Sequence, residues 1–288
     1  MYAVPRTEYS PGTLDDLLDL LDLLDLTGVG GDRFRGVSPD PTAPRVFGGQ
    51  VAAQSAVAAA RTVGDERRLA ALQGTFVRQG DASRPLEYDV ARIGDGRRFT
   101  FRQVTAHQGG RPVFTASATF HAGGNGPEHQ TPSAPEVDVA SLPLFVPELS
   151  SLLSGAWEMR RSVEPLVVGG KVIQAMRTSA PMPDDQALHD ALVIYASDEF
   201  ILDTALFVHE PDTMRFHHYG IASIDHAVHL HRPVRMDEWF LYTLDSPIAS
   251  HGRTLVRGEM RAATGELFAS ILQQGVIELP STTNGHTP

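Results

Sequence analysis

The sequence predicts an α+β chain made of two copies of one domain, and three observations carry the prediction. The stretch from Phe76 to Thr119 returns without a gap from Leu230 to Gln273, so each position has a counterpart 154 residues on. Both copies alternate apolar and polar residues with the period of half-buried strands, Leu86, Tyr88 and Val90 becoming Phe240, Tyr242 and Leu244. Each copy also follows a strand and an apolar helix. The identities are few, namely Arg78 with Arg232, Tyr88 with Tyr242, Thr100 with Thr254 and Phe114 with Phe268, so the rhythm carries the repeat. A period of about half the chain is far longer than solenoid or propeller repeats. It suits two domains fused and packed as the subunits of a homodimer would be.

The elements follow in order. Leu14, Leu17, Leu18, Leu21 and Leu24 form one stripe of a helix predicted over 13–26, with Asp15, Asp19, Asp22 and Asp25 on its other faces and Gly28 as its stop. It is too short for three or four heptads, so it is expected to pack on its own domain rather than on a partner. A strand over 33–37 precedes the turn-rich SPDPTAP, and the alanine-rich run after Gly48 suits a buried helix over 49–63. Three or four strands then fill 70–121 as an antiparallel meander, with turns at GDASRP, GDG and QGGRP. The Gly-, Pro- and Ser-rich stretch beginning AGGNGPEH reads as the linker. After it the order repeats: a strand over 171–178, a turn at PMPDD, a helix over 190–207 and strands over 221–279. The expected division is a first domain over 1–121, a linker over 122–162 and a second domain over 163–288.

Composition narrows the function. With 42% hydrophobic and 20% charged residues, the 288-residue chain can bury a sizeable core and is not a disordered tail. The absence of cysteine excludes disulfides, thiolate catalysis and sulfur-ligated zinc, and it fits a reducing compartment. A formal net charge of -11 argues against nucleic-acid binding, which needs clustered Lys and Arg. The first residues carry no apolar signal segment and nowhere do 18 apolar residues run together, so a cytoplasmic chain without a membrane span is expected. There is no G-x-S-x-G elbow and no P-loop, and the glycines at 28, 30 and 31 follow a helix rather than a strand.

Several polar residues remain. Asp225, His229 and His231 would share one strand face, but no third histidine is placed by spacing and no metal is assigned. His226, Val228 and Leu230 occupy the opposite face as an ordinary buried row, and the twin His217 and His218 are read as solvated loop residues. In HDALVIYASDEFILDTAL, Asp198 stands among Val193, Ile194, Tyr195, Phe200 and Ile201. Spacing leaves two places for it, the solvent face beside Glu199 or the interior, where a carboxylate is costly without partners. Gln54 is taken as its counterpart in the first copy, Leu69 as that of Ser223 and Thr119 as that of Gln273.

The motifs RVFGGQVAAQ, FVRQGD, YASDEF, ASIDHAVHLHRP and LVRGEMRAATGELFASILQQGV together resemble the acyl-CoA thioesterase II family across almost the whole chain. The resemblance implies a tandem (double) hotdog, each half a long central helix wrapped by a curved antiparallel β-sheet. It implies hydrolysis of acyl-CoA thioesters by a water that a carboxylate, a hydroxyl and a glutamine hold, which match Asp198, Ser223 and Gln273. No covalent nucleophile and no cofactor are implied. Gly48 and Gly49 are the candidates for the oxyanion donor, their alternative role being tight packing of helix on sheet. Two rivals stand beside this reading. One is a non-catalytic acyl-CoA or acyl-carrier binding protein. The other is a hotdog enoyl-CoA hydratase built on Asp203 and His209, although that family follows its aspartate with Asn-Pro and here Thr204 and Ala205 follow. Further assembly into a homodimer or homotetramer of the fused unit is expected.

Overall fold

The structure, a computed structural model, describes residues 13–38, 43–132, 137–145, 154–162, 171–210 and 219–279. His217 and His218 lie outside the described residues.

The chain opens with α1 (Leu14–Leu24), capped by Thr13, whose hydroxyl accepts the Asp16 amide while Asp16 accepts the Thr13 amide in return. Its buried face is Leu17, Leu20, Leu23 and Leu24, whereas Leu14 and Leu18 stay 56% and 46% exposed. The predicted stripe was therefore out of phase. Leucines occur all around this helix, so periodicity alone did not select the face that meets the core. Two short strands, β1 (Thr27–Gly28) and β2 (Arg33–Gly36), lead to α2 (Gly48–Ala60). The meander follows as β3 (Arg68–Phe76), β4 (Leu86–Asp95), β5 (Phe99–Gln108) and β6 (Arg111–His121).

The second half comprises β7 (Trp157–Arg161), β8 (Lys171–Thr178), α3 (Gln186–Ser197), α4 (Asp203–Leu206), β9 (Gly220–Ser223), β10 (Asp225–Leu230), β11 (Phe240–Ser250), β12 (Arg253–Ala262) and β13 (Leu267–Glu278). β7 pairs with β8 and so belongs to the sheet, although it falls within the span read as linker. The single helix expected over 190–207 is two helices with a break after Ser197.

Among the described residues the strands form one antiparallel sheet in the order β1-β2-β4-β5-β6-β3-β10-β13-β12-β11-β8-β7, with β9 beside β13. The halves join where β3 meets β10, Thr75 facing Asp225 and Leu72 facing Val228. Their registers repeat: Val90 faces Val104, and Leu244 faces Gly258, both partners 154 residues on. This is the tandem hotdog arrangement, a helix in each half against a continuous sheet. Leu86 faces Gly36 and Phe240 faces Met176, so β2 and β8 correspond at an offset of 140.

The two helices lie inside the sheet and cross closely. A Cβ on Gly49 would come within 2.5 Å of the Tyr195 carbonyl oxygen and 2.4 Å of the Phe47 ring, so only glycine fits the crossing. Alanine fills most of the remaining α2 surface, and its polar residues are satisfied inside: Gln54 donates to the Leu23 carbonyl at 2.7 Å and accepts from Tyr88 at 2.5 Å. An ion pair also ties the halves. Arg68 on β3 forks onto Asp190 on α3 at 2.9 and 2.7 Å and reaches the Arg232 carbonyl, with the carboxylate almost fully buried. Arg68→Leu should cost about 3 kcal/mol in urea unfolding by stranding Asp190, and adding Asp190→Leu should recover most of it. A single-mutant loss below about 0.5 kcal/mol, the median worth of exposed pairs, would show that the pair does not hold the halves together.

Candidate active site

The break after α3 creates the site. The helix begins with Asp185 accepting the Ala187 and Leu188 amides and ends at Asp198, which takes the C-cap position. Phe200 then adopts φ +55°, the left-handed region usually left to glycine, and the chain turns before α4. No Gly or Pro marks this stop, which is why sequence reading ran the helix through it. Breaking there places the Asp198 carboxylate between two helix ends. The C-terminus of α3 disfavours its charge, whereas the N-terminus of α2 favours it. The Gly49 amide donates to it. A Cβ on Gly48 would stand 2.6 Å from Asp198 Oδ2 and 3.1 Å from the Phe76 ring, so Gly48 is the close approach that admits the carboxylate.

Ser223 ends β9, and Gln273 lies on the inward face of β13. Gln273 Nε2 donates to Ser223 Oγ at 2.9 Å, and the same side chain is hydrogen-bonded to Asp198. The structure thus brings Asp198, Ser223 and Gln273 together with Gly48 on the wall of one cavity of about 380 Å³. The rest of the wall is mainly apolar, with Val51, Phe76, Val113, Phe114 and Ile201, and Arg45 and Arg78 are its basic members. Gly49 sits behind that wall, and its amide serves the carboxylate, which leaves Gly48 as the oxyanion candidate.

The electrostatics follow from burial. Asp198 is half-buried on the cavity wall, its Oδ1 is shut away from solvent without a hydrogen-bond partner, and its pKa is pushed up to about 7. Burial is the main cause, opposed by Gln273, the Gly49 amide and the charge of Arg45. Next to it His226, 1% exposed on β10, is pushed down to about 4 by burial and is neutral. Its Nδ1 is hydrogen-bonded to Gln273 Oε1, and its Nε2 lies 2.7 Å from Ser197 Oγ. His226 was read as part of an ordinary apolar row. The clue was available in that row itself, because a histidine buried with Val228 and Leu230 needs a polar partner inside.

The remaining candidates do not join this hydrogen-bonded cluster. Asp203 opens α4 in the cavity wall, its carboxyl pushed up to about 6 by burial against the charge of Arg161, and His209 follows beyond the helix. His231 Nε2 meets Ser270 Oγ at 2.9 Å, and among the described residues no group of three or more His, Cys, Asp or Glu could hold a metal ion. A second cavity, of about 970 Å³, lies at the opposite ends of the two helices, where Leu69 takes the place of Ser223 and Val57 and Ala60 line the wall. Among the described residues no helix is long and apolar enough to cross a membrane.

A tandem hotdog with a carboxylate, a hydroxyl and an amide converging on an apolar cavity belongs to the hotdog thioesterases. Sequence comparison agrees: the acyl-CoA thioesterase profile matches residues 151–276 and the acyl-CoA thioesterase N-terminal domain profile matches residues 38–121. The chain is 31% identical to mouse (Mus musculus) acyl-coenzyme A thioesterase 8, over 83% of this chain and 82% of that one. It is 30% identical to acyl-CoA thioesterase 2 of Haemophilus influenzae, over 85% and 91%. Among solved structures, the acyl-CoA thioesterase II TesB2 of Mycobacterium marinum superposes with a TM-score of 0.77 at 34% identity, covering 93% of this chain and 99% of that one. The chain belongs to the acyl-CoA thioesterase II family and is a thioester hydrolase.

A raised carboxyl pKa also bears on stability. The folded state holds a proton on Asp198 between the ordinary value of 3.8 and about 7, so ionisation opposes folding and stability falls as pH rises through that window. Asp198→Asn removes this cost. It should stabilise the protein by about 2 kcal/mol more at pH 8 than at pH 5 in chemical denaturation, and an equal effect at both would contradict the assigned burial.

Proposed function

We propose that this protein hydrolyses acyl-CoA thioesters to the free acid and CoA, using a water held by Asp198, Ser223 and Gln273. The observation that carries the reading is a carboxylate raised to about 7 at an apolar cavity, joined through one glutamine to a serine hydroxyl. At neutral pH such a group divides between its two forms, which suits it to take a proton and return it. Ionised Asp198 accepts a proton from the water as its oxygen adds to the thioester carbonyl carbon. Ser223 and Gln273 fix the water's direction, which removes freedom the reaction would otherwise lose. The oxyanion that forms faces the first turn of α2, where the Gly48 amide and the positive helix end stabilise it. As the C–S bond breaks, the proton on Asp198 passes to the departing sulfur, which yields the acid and the thiol.

CoA carries phosphates, and Arg45 and Arg78 set positive charge on the cavity of an otherwise acidic chain. In this reading each chain has one centre, which takes Gly48 from the first domain (1–121) and its three polar residues from the second (163–288). The cavity at the other helix ends, with Leu69 in place of Ser223, is the degenerate counterpart. The chain acts in the cytoplasm, consistent with its lack of cysteine, as a homodimer or homotetramer of the fused unit.

Thiol release from acyl-CoAs of two to sixteen carbons tests the proposal. Asp198→Asn should lower kcat by about 10²- to 10⁴-fold, and Ser223→Ala and Gln273→Ala by about 10- to 100-fold, with KM little changed. No thiol release by the native chain at any length, or full activity of Asp198→Asn, would sink it. Because the ionised form is the base, kcat/KM should climb with pH to a plateau above about 7, and a flat profile from pH 5 to 9 would contradict the assignment. Replacing both Arg45 and Arg78 by alanine should raise KM about 10-fold and leave kcat nearly unchanged; unaltered KM would remove them from CoA binding.

A further inference from the structure

We propose that His226 is a positioning residue for this reaction: its ring holds the Gln273 amide in the one orientation that turns both donor hydrogens toward Asp198 and Ser223. The proposal deepens the thioesterase reading and rests on it. His226 does not line the cavity, so it does not touch the reacting atoms. It stands directly behind Gln273, with Nδ1 hydrogen-bonded to Oε1, and its other nitrogen lies 2.7 Å from Ser197 Oγ.

The chemistry of these partners fixes the ring. A glutamine carbonyl only accepts, so Nδ1 carries the proton, and the bare Nε2 shares the single Ser197 hydroxyl hydrogen with the Ile194 carbonyl, which lies 2.8 Å from Ser197 Oγ. With Oε1 occupied by Nδ1–H, the NH₂ group faces the other way, onto Ser223 at 2.9 Å and onto Asp198. The opposite tautomer would invert this. A bare Nδ1 attracts the NH₂, turns the amide over and sets the carbonyl oxygen against the Asp198 carboxylate, two acceptors facing each other. The second hydrogen bond of the ring matters too. Ser197 directly precedes Asp198, and its carbonyl accepts from Tyr242 at 2.7 Å, so the ring ties the end of α3 to β13 through β10. Burial keeps the ring neutral over the working range, so it can donate at Nδ1 and accept at Nε2 simultaneously.

This arrangement predicts a pH signature. Gln273 is a hydrogen-bond donor that lowers the Asp198 pKa, so releasing its amide should raise it. The other ionisable groups around Asp198 are Arg45 ahead of α2, Tyr195 and Glu199 on its own segment, Tyr242 on β11, and Arg78 and Asp203 in the cavity wall. None of these is altered by a change at His226.

The test compares His226→Leu with His226→Asn, whose side-chain NH₂ can stand where Nδ1–H stands, alone and combined with Gln273→Ala, in acyl-CoA hydrolysis from pH 5.5 to 9. His226→Leu should lose about 10- to 100-fold in kcat with KM within about twofold, and its acid limb should move up by about one pH unit. His226→Asn should keep most of kcat and the native limb. In the Gln273→Ala background His226→Leu should cost little more, because the residue it positions is gone. Equal losses in both variants, an unmoved limb, or full multiplication with Gln273→Ala would overturn the proposal while an active native enzyme left the thioesterase reading standing. If the native chain hydrolysed no thioester, that reading would fail by itself. Imidazole ¹⁵N spectra decide the geometry independently of activity: a neutral ring protonated at Nδ1 at pH 6 is expected, and protonation at Nε2 would overturn it.

Discussion

Everything at the site depends on holding one half-buried carboxylate between two helix ends. Burial raises the energy of the ionised Asp198, and the C-terminus of α3 adds to the cost. The α2 N-terminus, the Gly49 amide and Gln273 offset part of it, which leaves the group near pH 7 rather than at either extreme. A carboxylate fully satisfied by donors would be too weak a base, and one wholly without them would stay protonated. The rest of the fold supplies this intermediate condition.

Two local constraints make the geometry possible. Gly48 and Gly49 allow α2 to approach α3 so closely that an added Cβ would strike the Asp198 carboxylate at one position and the Tyr195 carbonyl at the other. The break at Ser197 then turns the chain before the carboxylate can rotate onto a solvent face. The repeated tyrosines show how fusion lets equivalent positions diverge. Tyr88 and Tyr242 are both fully buried, yet Tyr88 donates to the Gln54 side chain and Tyr242 to the Ser197 backbone next to the site. A duplicated scaffold kept its packing while one end of the helix pair gathered the polar residues.

The sheet was the most legible part of the sequence, because alternation survives divergence and a one-residue slip would turn every side chain over. The strand at 171–178 and the 154-residue register of β4 and β5 with β11 and β12 were recovered as predicted, but β13 stands one residue further on: Gln273 faces Val256 as Ala118 faces Arg102, so Ala118 rather than Thr119 is its counterpart. Helices were less legible. The leucine-rich α1 had two equally apolar faces, and the end of α3 carried no Gly or Pro. Offsets between the halves shift with loop length, from 140 at β2 and β8 to 154 at β4 and β11, so counting along the chain does not carry one register through each half. Local spacing did not settle whether Asp198 was buried, since that depends on α2, a helix about 140 residues away. The family resemblance supplied the grouping of Asp198, Ser223 and Gln273, and His226 was overlooked because its partner lies on another strand.

The most direct measurement is the titration of the Asp198 carboxyl itself, followed by ¹³C NMR and assigned by difference from Asp198→Asn. The account predicts a midpoint near 7, coincident with the rise of kcat/KM. A midpoint near the ordinary 3.8 would contradict it, for Asp198 would then be solvated and the buried carboxylate on which the site depends would not exist.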